Sequence, residues 1–429
     1  MITTNETTPL KTNSLLIGAG FLFAAGALLG LALPIRAELE GFPTALIGLI
    51  GSAFAAGYVV GCLYIPRLVA RVGHIRVFGA MAALVAATAL INVLWVTPLA
   101  WILVRAMTGV AFAGGAMIIE SWLSESADSN SRGRIFARYM IINLASSVLG
   151  QLVVMVYSPA GFEPFVLVAI LACLALIPTA LCAGRAPTPL HEVKLDIRRL
   201  MRVSPIAVAA CFGIGLANGA FGTLAPVYAS QIGLPVSAIA LLLAGSIVGG
   251  ALMQVPIGRL SDRLDRRWVL CFTALAAAGI ALLLFGLDVR EPIAVILIVT
   301  ALGGAMHTLY PVAVAHANDR ASEGEFVAVS SGLLLTFGLG STAGPAVAAP
   351  LMQWAEPRIL FVFLASVYSL IAVYALWRIH KRDPVTEDHV HVAFDGLDAM
   401  QGAIQGATQE TMYLDPRAED EPRKDRHTG

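Results

Sequence analysis

The feature that most constrains this chain is a series of apolar runs, each about as long as a helix that crosses a lipid bilayer. Short polar breaks separate the runs, which lie at residues 14–35, 44–66, 77–96, 99–123, 135–157, 164–182, 205–228, 237–257, 268–287, 292–315, 326–352 and 358–379. Only 13% of the residues are charged, whereas a soluble domain carries roughly 25%. The pattern predicts an all-α membrane protein with twelve transmembrane helices.

Basic residues in the breaks are distributed unevenly between the two sides of the predicted membrane protein. With the far C-terminal tail left out, twenty Lys and Arg residues fall on the side of both termini, and three, Arg36, Arg290 and Arg358, fall on the other side. Positive charge in short loops favours the cytoplasmic side of a membrane. We therefore predict a multi-pass protein with both termini in the cytoplasm.

The two halves of the chain repeat each other at glycines and prolines. At a shift of 192 residues the matching pairs are Gly30 with Gly222, Pro34 with Pro226, Gly41 with Gly233, Pro43 with Pro235 and Gly57 with Gly249, and at a shift of 194 they are Pro98 with Pro292, Gly109 with Gly303 and Gly150 with Gly344. Both residue types fix backbone shape. The series predicts two pseudo-symmetric six-helix bundles in the same orientation, related by an axis along the membrane normal.

This repeat divides the chain into five segments. They are a cytoplasmic N-terminus (1–13), an N-terminal six-helix bundle (14–182), a cytoplasmic linker (183–204), a C-terminal six-helix bundle (205–379) and a disordered cytoplasmic tail (380–429). The linker contains Pro187, Pro189 and a basic stretch. The tail is polar and lacks an apolar period, which is typical of disorder.

Several functional classes have no support in the sequence. The formal charge is zero, so nothing indicates a nucleic-acid partner. The five cysteines form no CxxC pair and are interpreted as small apolar residues, without a metal centre or other cofactor. No phosphate-binding loop of the form GxxxxGK[ST] occurs, which argues against a self-contained ATP-driven pump. No helix face carries a paired His and acid, so nothing in the sequence indicates an enzyme. We expect the protein to be a monomer.

Charged residues inside apolar spans are costly, so they are candidate functional residues. Arg105 and Glu120 both lie in the fourth span. Arg105 has three interpretations: it binds an anionic substrate or tunes a proton carrier, it bonds helix-end carbonyls, or it extends to the membrane interface. Glu120 either carries a proton, or pairs with Arg134 or Arg138 at the start of the fifth span.

Polar residues in other spans are further candidates. His307 titrates in a useful range and Tyr310 has an amphipathic tip, although a lone membrane histidine often serves only helix packing. Asn143 and Asn218 are weaker candidates for a central cavity. In the eleventh span, Gly340 and Gly344 form a small-xxx-small face, which favours close helix packing.

The loop between the eighth and ninth spans, Gly258-Arg-Leu-Ser-Asp-Arg-Leu-Asp-Arg-Arg267, resembles the cytoplasmic signature loop of the major facilitator superfamily. Asp265 stands where that family has a second glycine. The first-half loop, residues 66–76, is degenerate, but Arg71 remains. The resemblance implies a cytoplasmic gate in which Asp262 approaches the start of the fifth span. The residues of this gate are Gly258, Asp262, Arg263, Arg266, Arg71, Arg134 and Arg138. The alternative is that these charges only set the membrane topology.

Other segments resemble a bacterial branch of this family, the YcaD-like transporters. They are Glu120-Ser-Trp, Arg132-Gly-Arg134, Leu149-Gly-Gln151 and Leu309-Tyr-Pro311. The segment that begins at Arg105 is similar to the family's fourth-helix motif, whose arginine is linked to proton coupling. In the family, spans one, four, seven and ten line the cavity, which would bring His307 and Tyr310 to the substrate.

The resemblance implies a secondary transporter of the bacterial inner membrane that moves a small molecule by alternating access, driven by an ion gradient. Protons are the expected coupling ion and membrane lipids the expected surroundings. One alternative is a facilitator without proton coupling. Another is a membrane sensor or scaffold whose output is the cytoplasmic tail.

Overall fold

The computed structural model describes residues 8–125, 131–181, 197–287, 291–321 and 326–381. Their regular structure is entirely helical and consists of α1 (Thr8–Leu39), α2 (Thr44–Val72), α3 (His74–Leu94), α4 (Pro98–Glu125), α5 (Arg132–Leu152) followed by a 3₁₀ turn (Val153–Met155), α6 (Glu163–Leu181), α7 (Ile197–Val203), α8 (Pro205–Gln231), α9 (Val236–Arg263), α10 (Arg266–Gly286), α11 (Pro292–Asn318), α12 (Phe326–Trp354) and α13 (Ile359–Lys381). The predicted tail and most of the predicted linker lie outside these residues.

Eleven of the described helices are long and apolar enough to cross a membrane. The remaining predicted span, the sixth, corresponds to α6, whose apolar part over Glu163–Thr179 is shorter. Helix α1 begins at Thr8, six residues before the predicted start, and is 32 residues long. Because a helix rises about 1.5 Å per residue, α1 is roughly 48 Å long and extends beyond a hydrocarbon core of about 30 Å.

The predicted repeat is confirmed at the level of helix contacts. Gly57 of α2 packs so closely on α4 that a Cβ there would overlap the carbonyl oxygen of Ala106, and Gly249 of α9 packs in the same way on Thr300 of α11. Two further pairs of contacts are equivalent between the halves. Gly109 packs on Phe54 as Gly303 packs on Ser246, and Gly150 packs on Ala24 as Gly344 packs on Leu216. The same glycines therefore set the same helix packing in both halves.

The turns that follow α1 and α8 are also equivalent. Gly41 and Gly233 have φ angles of 75° and 83°, in the left-handed region that favours glycine. Pro43 and Pro235 then stand at the N-caps of α2 and α9. The repeated Gly-x-Pro therefore ends one helix and begins the next in each half.

Helix α7 falls inside the segment that was predicted to be a linker. Its buried residue Leu200 packs against α12, where a Cβ added to Gly332 would lie 2.6 Å from a Leu200 methyl carbon. Arg198 and Arg199 are exposed. Leu200 is an apolar anchor within a basic segment, and it attaches the start of the second half to its own bundle.

The two halves meet mainly where α2 crosses α12. We call the side on which α1 begins and α13 ends the terminal side, and the opposite side the far side. The helices run antiparallel here, since Gly48 contacts Ala349 and Val59 contacts Gly338.

The small-residue packing that was predicted for α12 is also present, because a Cβ at Gly340 would overlap the carbonyl oxygen of Phe212 on α8.

Candidate functional site

A cavity of about 290 Å³ lies between the two halves. Its wall contains residues from α1, α2, α4, α5, α8, α9, α11 and α12. The four helices that correspond to the predicted cavity spans, α1, α4, α8 and α11, therefore all contribute, and four others join them. Gly30 of α1 and its repeat partner Gly222 of α8 both line the cavity, and a Cβ at either would meet no atom within 4 Å.

Arg105 of α4 lies at the cavity wall because α2 and α4 pack backbone to backbone. The contacts of Gly57 and Gly109 bring Phe54 of α2 under the guanidinium, whose central carbon is 4.3 Å from the ring centroid. The Arg105 side chain is 8% exposed. A charge at the centre of a membrane helix costs about 2.5–3.5 kcal/mol, and contact with an aromatic face offsets part of that cost.

Two of the three interpretations of Arg105 do not fit this placement. The residue lines the internal cavity, so it does not extend along the lipid surface to the interface. Among the described residues, none accepts a hydrogen bond from its guanidinium, so it does not bond helix-end carbonyls there. The placement is compatible with the third interpretation, in which Arg105 serves a substrate or a proton carrier, and that interpretation stays a prediction.

Other polar residues in the wall are few and uncharged. Gln151 and Ser147 come from α5, and Asn218 of α8 accepts a hydrogen bond from Tyr368 at 3.5 Å. His307 of α11 lines the cavity and lies 3.2 Å from Ser246 through its Nε2 atom. Its ring also packs on Gly250, so this histidine both stabilises the α9–α11 contact and faces the cavity.

Two predicted cavity residues lie outside the cavity wall. Tyr310 is fully buried behind it, with its ring 5.0 Å from that of Phe337. Asn143 is also buried, and its side chain accepts a hydrogen bond at 3.3 Å from Ser147, which does line the cavity. Both residues support wall residues from behind, although the predictions placed them at the substrate.

Glu120 is fully buried in the N-terminal half, behind the cavity wall. Tyr139 of α5 donates a hydrogen bond to its Oε1 atom at 2.9 Å. The carboxyl group is also close enough to interact electrostatically with Tyr58 and Cys62, which both line the cavity. The alternative partners Arg134 and Arg138 have exposed side chains. Glu120 therefore lies beside the described cavity wall without forming part of it.

Two of the predicted gate residues, Asp262 and Arg266, form an ion-pair cluster with Asp319 within the C-terminal half. Arg266 lies 2.7 Å from Asp319 and 3.4 Å from Asp262. Gly258 is buried, and Arg263 is exposed. Across the terminal side, Arg71 is exposed as well. In this conformation Asp262 pairs with a residue of its own half.

Asp265, which stands where the related loop has a glycine, is the N-cap of α10. Its carboxylate accepts a hydrogen bond from the backbone N–H of Arg267 at 2.9 Å and pairs with the Arg267 guanidinium. Although burial acts to raise the pKa of Asp265, the bonds and charge of Arg267 hold it below the ordinary value. The aspartate that replaces the glycine of the motif therefore caps the N-terminus of α10.

We expect Asp319→Asn to destabilise the protein by about 1.5–3 kcal/mol, the usual worth of a hydrogen bond to a charged group. The reason is that Arg266 and Asp319 have side chains only 1% and 8% exposed. Asp262→Asn is the matched control: Asp262 is 39% exposed, so its loss should cost less than about 1 kcal/mol. Thermal unfolding in detergent measures both effects, and equal losses would contradict this assignment.

Several residues of this site carry no recognisable signal in the sequence. Phe54 under Arg105 and Ser246 beside His307 are unremarkable members of apolar helices. The far-side contacts between the halves were missed as well. There, Gln231 of α8 donates to the Thr44 hydroxyl at 3.2 Å, and the backbone N–H of Ala45 donates to Gln353 of α12 at 2.9 Å. Lone polar residues at helix ends carry no pairing signal.

Comparison with known proteins is consistent with this architecture. The chain matches the sequence model of the Major Facilitator Superfamily over residues 15–249 and 207–397. It is 30% identical over 380 residues to the MFS-type transporter YcaD of Salmonella heidelberg (strain SL476), covering 88% of this chain and 97% of that protein. A YcaD protein of Escherichia fergusonii is 31% identical over 376 residues, covering 86% and 97%.

Solved structures with low sequence identity share the fold. The crystal structure of the nucleoside transporter NupG has a TM-score of 0.73 at 14% identity and covers 87% of this chain and 100% of that chain. A bacterial homologue of the human lysosomal transporter Spinster, in an inward-facing and occupied conformation, has a TM-score of 0.64 at 14% identity, covering 93% and 95%. Together with the sequence matches, these findings show that the chain belongs to the YcaD-like branch of the major facilitator superfamily of membrane transporters.

Proposed function

We propose that this protein is a proton-coupled secondary transporter that moves a small molecule across the bacterial inner membrane by alternating access. The observation that carries the proposal is the cavity between two equivalent halves, with contacts between the halves concentrated on the far side. Because basic residues accumulate on the terminal side, we assign that side, with both termini, to the cytoplasm.

The far side provides a seal between the halves. Besides the hydrogen bonds of Thr44 and Ala45 to α8 and α12, Gly48 of α2 packs against the backbone of Pro345. Gly51 of α2 packs against Thr223 of α8. Alternating access requires that this seal opens when the terminal side closes.

The terminal side supplies the groups for the second closed state. When it closes, the Asp262 loop would dock near the start of α5, where Arg134 and Arg138 are exposed. Asp262 is held by one weak ion pair and is 39% exposed, so it can exchange partners at small cost. Opposite charges across the closing interface would then stabilise the state that is open to the far side.

Proton coupling is assigned to Glu120, with His307 as a second titratable group. Glu120 lies behind the wall beside Tyr58 and Cys62, while His307 lies in the wall of the other half. Both groups are buried between helices, so the gain or loss of a proton requires a change in their surroundings. Rearrangement of the halves supplies such a change.

Proteoliposomes with an internal pH-sensitive dye test the proposed function. Addition of a transported compound should change the internal pH, and an imposed proton gradient should drive its accumulation. A facilitator would equilibrate the compound without accumulating it. A sensor or scaffold would produce no flux for any compound, and either result would overturn the proposal.

Crosslinking the far-side seal tests alternating access. We expect Ala45→Cys with Gln353→Cys, joined through reducible disulfide bonds by a short bis-methanethiosulfonate reagent in a background without native cysteines, to lower transport at least about 10-fold, since the crosslinked far side cannot open. Reduction should restore the rate. The matched control is Gly20→Cys with Ser146→Cys, a contact within one half that should move as a unit. Full transport by the crosslinked Ala45–Gln353 protein would contradict the mechanism.

A further inference from the structure

The cavity has one fixed charge. Among the described residues that line it, Arg105 is the single Asp, Glu, Lys or Arg side chain. Glu120 lies behind the wall and is not among the residues that form the cavity surface. The site is therefore electropositive, and the low dielectric of the bundle strengthens its attraction for a negative group.

The geometry of Arg105 leaves its hydrogen-bond donors available. The face of the guanidinium is covered by the Phe54 ring at 4.3 Å, and its N–H groups lie in the plane, at the edge. No described residue accepts from them. An arginine held on an aromatic ring with its edge unused is well arranged for a planar carboxylate, which it can bind through two parallel hydrogen bonds.

The rest of the wall favours an apolar body on the ligand. The cavity is lined by four phenylalanine rings, by aliphatic side chains, and by Gly30 and Gly222, which have no side chain. The phenylalanines are Phe23, Phe112, Phe221 and Phe337. The uncharged polar groups are scattered over several helices. Binding sites of this composition take ligands that are largely apolar and are oriented by a few polar groups.

Other ligand classes fit less well. An organic cation would meet Arg105 and no carboxylate among the described lining residues. A dianion would bring a second charge into an apolar wall with one cation to compensate it. A sugar needs many side-chain donors and acceptors close together, whereas the two amides in the described wall, Gln151 and Asn218, and its hydroxyl groups are spread over several helices.

We propose that the cavity takes a monoanionic organic molecule with an apolar body, whose carboxylate binds the Arg105 guanidinium. This assignment rests on the proposed transport function but concerns binding, which can be measured separately. The cavity of about 290 Å³ limits the body to a small ring or short chain.

The probes are 4-phenylbutyrate, its neutral amide, 4-phenylbutylamine and succinate, tested for binding to purified protein by calorimetry and by the rise in Tm. We expect 4-phenylbutyrate to bind about 10- to 100-fold more tightly than the amide, the factor for one charge-assisted interaction. The amine and succinate should bind more weakly still. This comparison uses the unmodified protein, so it does not depend on the folding of any variant.

Arg105→Gln should remove the preference for the acid over the amide, and Arg105→Lys should retain part of it. The matched control is Arg378→Gln, which removes another cation that lies over an aromatic ring, Trp377, outside the cavity. That variant should keep the full preference.

The outcomes separate the two proposals. Equal or tighter binding of the amide, the amine or succinate, or binding of none of the four probes, overturns the assignment of the ligand class. If 4-phenylbutyrate binds as expected but proteoliposomes never move it in response to a gradient, the ligand class stands and the transport proposal fails. Flux of an amine or a sugar alone would support transport and overturn the ligand class.

Discussion

Leucine in place of Gly57 or Gly249 is expected to prevent correct assembly of the corresponding half. At both positions even a Cβ would overlap a backbone carbonyl oxygen of the neighbouring helix, Ala106 or Thr300. Overpacking of a core usually costs about 1–3 kcal/mol, and here the obstacle is backbone, which cannot rotate away. We expect losses at the upper end of that range or beyond, with little monodisperse protein recovered after size exclusion.

The control for this experiment is Gly279→Leu. Gly279 lies within α10 on an exposed surface, and nothing would lie within 4 Å of its Cβ. Glycine is less favourable than alanine in a helix by roughly 0.8–1.0 kcal/mol and leucine ranks close to alanine, so this variant should be neutral or slightly stabilised. Recovery of the Gly57 and Gly249 variants at the control level, with an unchanged Tm, would show that the helices do not pack as described.

Glu120→Gln is expected to abolish accumulation driven by a proton gradient, with a loss of at least about 10-fold in steady-state uptake. Glutamine has nearly the same shape and can still accept the Tyr139 hydrogen bond, so the bundle should keep its packing. It cannot bind or release a proton. Exchange of labelled for unlabelled compound, which needs no net proton movement, should persist in the variant.

Proteoliposome uptake and exchange assays measure the two activities side by side. The matched control is Glu163→Gln, which neutralises an exposed acid at the start of α6 and should leave both activities intact. Normal accumulation by Glu120→Gln would remove Glu120 from the coupling pathway. Loss of exchange together with accumulation would instead indicate a structural role.

The fold was predictable because its main determinants are local or periodic in the sequence. Runs of apolar residues predicted the membrane-crossing helices, and repeated glycines such as Gly57 and Gly249 marked equivalent close contacts between helices. Helix α7 was not predicted because its position depends on the packing of Leu200 against Gly332, a small residue far away in the sequence.

The candidate site was less predictable because it depends on how each helix is rotated. Arg105 stood out as a charge in an apolar span, but nothing in the sequence placed Phe54 beneath it. His307 and Tyr310 are three residues apart on one helix, yet one lines the cavity and the other packs behind it on Phe337. Such differences arise from tertiary packing, which sequence periodicity does not resolve.

The glycines of this protein fall into two groups with different tolerance for change. Those at helix crossings, such as Gly57 and Gly249, are fixed by backbone neighbours, whereas Gly30 and Gly222 face open space in the cavity. Added methyl groups at the second pair would narrow the chamber without disturbing assembly. Related transporters can therefore come to take smaller substrates through single substitutions at the positions of Gly30 and Gly222, while the helix packing around the cavity stays the same.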